Sequence, residues 1–192
     1  MGKPVTISDI RTVAELLGRT VPAGSFLSRT SIWQGDITKL QVDGIVNAAD
    51  EAVLGGGGVD GAIHRAAGPQ LLEACRALNG CKTGQAKITP GFKLPAKYVI
   101  HAVGPVGEKP ELLASAYRES LDVAKQNGVR TIAFPCISTG VFGYPADAAC
   151  KVVLATVKQW LSEDDTGILE RVIFCMFNQR SADTYAAEFA KY

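Results

Sequence analysis

Two glycine-rich stretches carry the first chemical signal in the sequence: Gly55-Gly56-Gly57-Gly58, and Ser138-Thr139-Gly140-Val141-Phe142-Gly143. Each lies between a strand-like apolar run and a helix-like segment. Glycine lets the backbone approach a ligand closely and adopt positive φ, so consecutive amides can converge on an anion. The helix that begins after each loop adds the positive end of its dipole. Two such cradles suit a diphosphate held by main-chain amides. Glycines that only form tight turns would explain one such loop, whereas two at strand-to-helix junctions favour phosphate. Asp60 and His64 follow the first loop, four residues apart and hence on one helix face. An acid there can act as general base or orient a water, with the histidine tuning it. The same spacing also fits a helix-capping Asp60 and a packed or surface His64.

Other signatures are excluded or bland. Residues 56–61 formally match the dinucleotide pattern G-x-G-x-x-G. However, residues 50–54 separate the glycines from their strand, and the next acid, Glu73, falls within a helix. Neither a phosphate-binding G-x-x-x-x-G-K-[ST] nor a nucleophile-bearing G-x-S-x-G occurs. His101 sits in an apolar strand and reads as a hydrogen-bonded core residue. Cys136 is expected inside a buried strand, as core rather than nucleophile. With two histidines and no Cys-x-x-Cys, a transition-metal site is not expected, and no cofactor is implied.

The elements that must position these loops alternate. Strands are expected at Thr30–Gln34, Gly44–Ala49, Ala86–Thr89, Tyr98–Val103, Thr131–Ile137 and Arg171–Phe177. Helices are expected at about Asp60–Leu78, at Glu111–Gln126, from Pro145 to about Leu161 and at Ala182–Ala190. Leu113, Tyr117, Leu121 and Ala124 form the apolar stripe of the second. Unbroken apolar strands suit a sheet buried on both faces. The pattern implies an α/β fold, a three-layer α/β/α sandwich with a mixed, mostly parallel central sheet. Residues 1–30 read as a leader, with a short helix over Ile10–Leu17, and residues 31–192 as the domain proper.

Composition agrees with one domain. The chain has 192 residues, 47% of them hydrophobic and 20% charged, with 20 basic against 19 acidic side chains. A net charge of +1 disfavours a nucleic-acid binder, and Lys82, Lys87, Lys93 and Lys97 read as a solvated face. No apolar run reaches membrane-spanning length, and the first residues lack the features of a signal peptide. Five cysteines without pairing pattern favour a reducing, intracellular compartment, cytoplasmic or nuclear. A monomer is the default expectation.

Taken together, Gly35-Asp36-Ile37-Thr38, Val46-Asn47-Ala48-Ala49, residues 54–68 (LGGGGVDGAIHRAAG) and residues 137–145 (ISTGVFGYP) resemble a macrodomain of the MacroD type. The resemblance covers about Ser31 to the C-terminus. It implies a cleft for ADP-ribose, in which Asp36 accepts from the adenine amino group with the Ile37 backbone assisting. It implies that Gly55, Gly56, Gly57, Gly58 and Val59, with Ser138, Thr139, Gly140, Val141 and Phe142, hold the diphosphate and distal ribose. Asn47 would bind the distal ribose hydroxyls, and Asp60 would serve catalysis, with His64 secondary. The implied partners are ADP-ribose and mono-ADP-ribosylated proteins. The implied reactions are release of mono-ADP-ribose from acidic side chains and deacetylation of O-acetyl-ADP-ribose, both cleavages of an ester at the distal ribose. Poly-ADP-ribose chain cleavage is not expected, because that related activity uses paired glutamates in the glycine loop.

One departure stands out. The family pattern is Asn-Ala-Ala-Asn, but this chain reads Asn47-Ala48-Ala49-Asp50. An ionised aspartate accepts but cannot donate, so Asp50 loses a donor toward the distal ribose or substrate. Its charge is also expected to raise the pKa of a neighbouring carboxyl such as Asp60. Three readings of Asp50 follow: a natural reader that has lost turnover, an engineered substitution made to weaken catalysis, or a tolerated variant. The functions weighed are a hydrolase, its turnover weakened at Asp50, and a module that binds ADP-ribose and turns nothing over.

Overall fold

In the computed structural model, which describes residues 2–192, six strands form one sheet. They are β2 (Thr30–Gln34), β4 (Gly44–Ala49), β5 (Ala86–Pro90), β6 (Tyr98–Val103), β7 (Thr131–Phe134) and β8 (Arg171–Met176), in the order β2-β8-β7-β4-β6-β5. All neighbours run parallel except the edge strand β5, which is antiparallel to β6. The helices are α1 (Val13–Leu16), α2 (Gly58–Ala67), α3 (Gln70–Arg76), α4 (Pro110–Gln126), α5 (Ala146–Glu163) and α6 (Gln179–Phe189). No described helix is long and apolar enough to cross a membrane.

Strand alternation divides the core into two apolar layers. On β8, Val172, Phe174 and Met176 face one cluster with Leu113, Tyr117 and Leu121 of α4, Val153 of α5 and Tyr185 of α6. Ile173 and Cys175 face the other, with Ile63 of α2 and Leu71 of α3. Helices thus cover both faces, giving the expected three-layer sandwich. The same parity decides the site. Val46 of β4 belongs to the first layer, Ile45 and Ala49 to the second. Asn47 therefore points toward α2 and α3. In register beside it on β6 is His101.

Several boundaries differ from the sequence reading. The helix expected over Asp60–Leu78 is two helices, because Gly68 turns at φ 87° and Pro69 has no N–H for the turn before it. Strand β7 stops at Phe134, before Pro135, so Cys136 lies half-buried in the following loop rather than inside a strand. Pro145 caps α5 from outside, and Asn178 starts α6 earlier than expected by accepting from Ser181 N at 2.9 Å. The helix expected over Ile10–Leu17 is shortened to the single turn α1, and a 3-10 turn at Ile7–Asp9 precedes it.

The leader packs on the domain. Its strand β1 (Val5–Thr6) pairs in parallel with β3 (Leu40–Gln41), and Val13, Ala14 and Leu27 join the first apolar layer. Arg19 donates to Ala190 O at 2.7 Å, and Arg171 donates to Ile10 O at 3.3 Å. Leu27→Ala should accordingly cost about 2–5 kcal/mol in urea unfolding, the usual range for a buried leucine. A loss below about 0.5 kcal/mol would instead mark residues 2–30 as a loose appendage.

Candidate functional site

The two glycine loops meet where the chain switches sides of the sheet. Strand β4 leads into α2 on one face, while its neighbour β7 leads into α5 on the other. Ligands of parallel α/β sheets sit in such crevices at the carboxyl ends of the strands. The first loop spans 55–58. Gly57 caps α2 with no side-chain acceptor, leaving the first-turn amides open. Gly61 is required by close approach, since a Cβ there would lie 2.6 Å from the Gly56 carbonyl oxygen. The second loop is folded on itself by Tyr144 N to Ser138 O at 2.9 Å and Gly143 N to Gly140 O at 3.0 Å. Gly107 N ties it to the loop after β6 through Phe142 O at 2.6 Å. Ser138 holds φ 67°, a strained value for a non-glycine residue, and its Oγ is buried without a partner.

Below the crevice lies a buried polar chain. Asn47 is fully buried, and its Nδ2 donates to Asp60 Oδ1 at 2.9 Å and to His101 Nδ1 at 3.1 Å. His101 is fully buried too, with Nε2 2.9 Å from Thr89 Oγ1 and 3.7 Å from Cys75 Sγ. Asp60 is 5% exposed, its Oδ2 turned toward Gly56 of the first loop. Burial pushes its pKa up, against the Asn47 hydrogen bond and the His64 charge, which pull it down. His64 Nε2 stands 3.4 Å from Asp60 Oδ1, and its ring packs beside Gly55. Asp60 thus has one oxygen fixed from beneath and one facing the crevice, the geometry of a general base for a ligand held by the loops.

Asp36 lies at the far end of the cleft, after β2. Its Oδ1 caps the following 3-10 turn by accepting from Thr38 N at 3.0 Å and Thr38 Oγ1 at 2.7 Å. Ile37 is buried behind it. The Trp33 ring covers Gly35, where any Cβ would overlap the indole at 2.4 Å. Gly35 N donates to Met176 O at 3.1 Å, which brings the end of β8 alongside. The next residue, Phe177, is 92% exposed. An exposed aromatic one residue beyond Met176, with a carboxylate one residue beyond Gly35, suits a flat heterocycle with an amino group. Phe177 was missed in the sequence, where it reads as the last residue of an apolar strand; its signal is an aromatic at the carboxyl end of a buried strand.

Three residues take places other than those expected. Asn47 has both amide protons committed inside the protein, so it sits beneath the cleft and holds Asp60 rather than offering itself to ribose hydroxyls. Asp50 is exposed and forms an Asx turn, its Oδ1 accepting from Ala52 N at 3.1 Å and Val53 N at 3.2 Å. An asparagine oxygen would accept the same two bonds, so the turn survives the substitution and only the donor is lost. Its charge does raise the Asp60 pKa, but as the smallest of four causes. Lys87 is no solvated lysine; its Nζ donates to Leu78 O at 2.7 Å and Gly80 O at 2.6 Å. Cys136 has its thiol pushed up to about 11 by burial, so it is a poor nucleophile at neutral pH. A separate groove of about 470 Å³ between α5 and α6 is lined by Asp147, Asp183 and Glu188 with Lys151 and Lys191, and shares no residue with this crevice.

Residues 46–153 match the Macro domain family. The chain is 54% identical over 159 residues to the Homo sapiens ADP-ribose glycohydrolase MACROD2, covering 80% of this chain and 37% of that protein. It thus spans roughly a third of the length of its MACROD2 relatives. A macro domain-containing protein of Chlorobaculum tepidum is 57% identical over 162 residues, covering 82% of this chain and 93% of that one. Among solved structures, the Trypanosoma brucei macrodomain in complex with ADP-ribose superposes with TM-score 0.91 at 44% identity, covering 98% of this chain and 78% of that one.

Burial holds the His101 pKa down to about 3, so the ring is neutral in the folded protein at all ordinary pH values. The unfolded ring binds a proton below about pH 6.5, where the folded one does not. This group therefore withdraws stability as pH falls from there toward 3, by up to about 1.4 kcal/mol per pH unit. Urea unfolding at several pH values should show a steeper acid loss in the parent than in His101→Phe. Parallel pH dependences would contradict a neutral, buried His101.

Proposed function

The chain belongs to the Macro domain family, and from that premise we propose that it binds ADP-ribose and hydrolyses the ester joining mono-ADP-ribose to acidic protein side chains, as well as the ester of O-acetyl-ADP-ribose. The observation that carries this reading is Asp60, fixed by Asn47 on one oxygen and open on the other toward a glycine loop. The relatives support it, being ADP-ribose glycohydrolases by name and, in solved form, complexed with ADP and ADP-ribose.

The adenine lies between Asp36 and Phe177, its amino group donating to the Asp36 carboxylate. The diphosphate takes the open amides of Gly58 and Val59 and those of Thr139 to Phe142. The distal ribose then reaches the floor near Asp60, packed by Phe142. A water held by Asp60 Oδ2 attacks the ester and gives its proton to Asp60. In attack at the carbonyl Asp60 returns that proton to the departing ribose oxygen, and in attack at the ribose carbon the carboxylate leaves as the anion. The products are ADP-ribose, carrying the hydroxyl, and a free carboxylate. Attack at the carbonyl or at the ribose carbon gives the same products. His64 lies close enough to Asp60 to modulate its charge.

A second reading, a module that binds without turnover, is favoured by one observation: Asp50 stands where the family pattern has asparagine and cannot donate to the ligand. Release of ADP-ribose from a glutamate- or aspartate-modified protein separates the two. Release by the parent comparable to that by Asp50→Asn supports the hydrolase. Release only by Asp50→Asn would mean that the scaffold is catalytic and this chain is its disabled or reader form, and silence from both would sink the hydrolase for this substrate. Asp60→Asn should bind ADP-ribose within a few-fold of the parent while losing about 100-fold or more in release, as general-base loss entails. Asp36→Ala should weaken ADP-ribose binding about tenfold in calorimetry, the effect of one lost charged hydrogen bond. Unchanged affinity would show that the adenine sits elsewhere.

A further inference from the structure

We propose that His101 is a positioning residue for Asp60, acting through Asn47: its bare Nδ1 takes one amide proton of Asn47 and so turns the other onto the Asp60 carboxylate. The inference rests on the reading of Asp60 as general base. His101 lies one strand away from the crevice and touches no part of it. Nothing in its sequence context marks it beyond a polar residue in the apolar run YVIHAV.

The direction of every bond in the chain follows from donor and acceptor chemistry. An amide nitrogen only donates, so His101 Nδ1, 3.1 Å from Asn47 Nδ2, carries no hydrogen. The neutral ring then bears its proton on Nε2 and donates it to Thr89 Oγ1 at 2.9 Å. The Thr89 hydroxyl can accept this proton, so the tautomer with a bare Nδ1 is the one that fits the Asn47 amide as it faces. Asn47 Oδ1 is buried with no partner, so its own oxygen does nothing to hold the amide in place. Nδ2 has two partners, the Asp60 carboxylate and His101 Nδ1, and the bare Nδ1 adds to the carboxylate in disfavouring the position with the amide oxygen turned toward Asp60. In that reversed position two acceptors would oppose each other and Asp60 would keep a proton.

The sheet builds this alignment. Asn47 and His101 are paired residues of β4 and β6, and Thr89 on β5 is one step diagonal to His101, opposite Val99. The titratable groups facing the chain are few. Asp60 and His64 come from α2, Asp50 from the loop after β4, and Cys75 from α3. Cys75 is pushed up to about 11, by burial first and by the Asp60 charge second, so it stays a neutral thiol across the working pH range.

The test needs one measurement on the unaltered protein and two variants. Long-range nitrogen–proton NMR on the parent should show His101 neutral with its hydrogen on Nε2. His101→Phe fills the space without an acceptor, and His101→Asn puts an amide oxygen near the place of Nδ1. In His101→Phe the Asp60 carboxyl should titrate at higher pH by carbon-13 NMR, the acid limb of ADP-ribose release should move to higher pH, and kcat near neutral pH should fall about tenfold. KM and ADP-ribose affinity should stay within about twofold. His101→Asn should return all three toward the parent. Merely structural damage would lower the folded fraction without moving the pH profile. A hydrogen on Nδ1 in the parent overturns the proposal, even if His101→Phe fails to fold. So does a folded His101→Phe whose Asp60 titration and pH profile match the parent. Should the parent release no ADP-ribose, the hydrolase reading fails, while the tautomer and the Asp60 titration still decide this one.

Discussion

The hydrogen bond from Asn47 to Asp60 is the constraint around which the rest is arranged. A carboxylate taken out of water is costly unless its oxygens are satisfied, and a buried asparagine is costly unless its protons are used. The two meet at 2.9 Å, joining the centre of β4 to the first turn of α2. The eight residues from Asp50 to Gly57 join β4 to α2 above this contact. Their local chemistry is an Asx turn at Asp50, then glycines where the backbone turns with positive φ and where Gly56 lies against Gly61. The loop that reads as an anion cradle is the loop that joins the two partners of this buried pair.

A parallel sheet turns this local arrangement into a cleft. Because β7 lies beside β4 and sends its helix to the opposite face, the second glycine loop is set across from the first. Open amides on both sides suit an anion in a chain of net charge +1, where basic side chains are not concentrated. The Asp36 end is built by different means. There Trp33 covers Gly35, a 3-10 turn spends one carboxylate oxygen, and Phe177 is left bare. Burial on one side and exposure on the other make the two ends complementary, one for charge and one for a flat ring.

Much of this was legible in the sequence. Apolar runs such as GIVNAA and RVIFCM identify doubly buried strands without any partner in view, and glycine loops at strand ends locate the cleft. Asp60 and His64 are visible because four residues on a helix form one face. What was not legible depends on pairing. The Asn47–His101–Thr89 alignment exists only because β4, β5 and β6 adopt a given register, and residues 47, 89 and 101 share no local pattern. Phe177 becomes meaningful only once β8 is known to lie beside β2. The break at Gly68-Pro69 was readable but was passed over, because the apolar periodicity continues across it. The family resemblance implies that Asn47 meets the distal ribose, but it carries no information on strand parity, which directs the Asn47 side chain into the protein toward Asp60.

The most direct test of the central account is amide NMR mapping of ADP-ribose binding on the isotope-labelled chain. The account predicts saturable shifts at residues 55–59, at 138–142 and around Asp36 and Phe177. It also predicts a change at the buried Asn47 side-chain amide as Asp60 meets the ligand. Shifts confined to the groove between α5 and α6, or to one glycine loop alone, would contradict it.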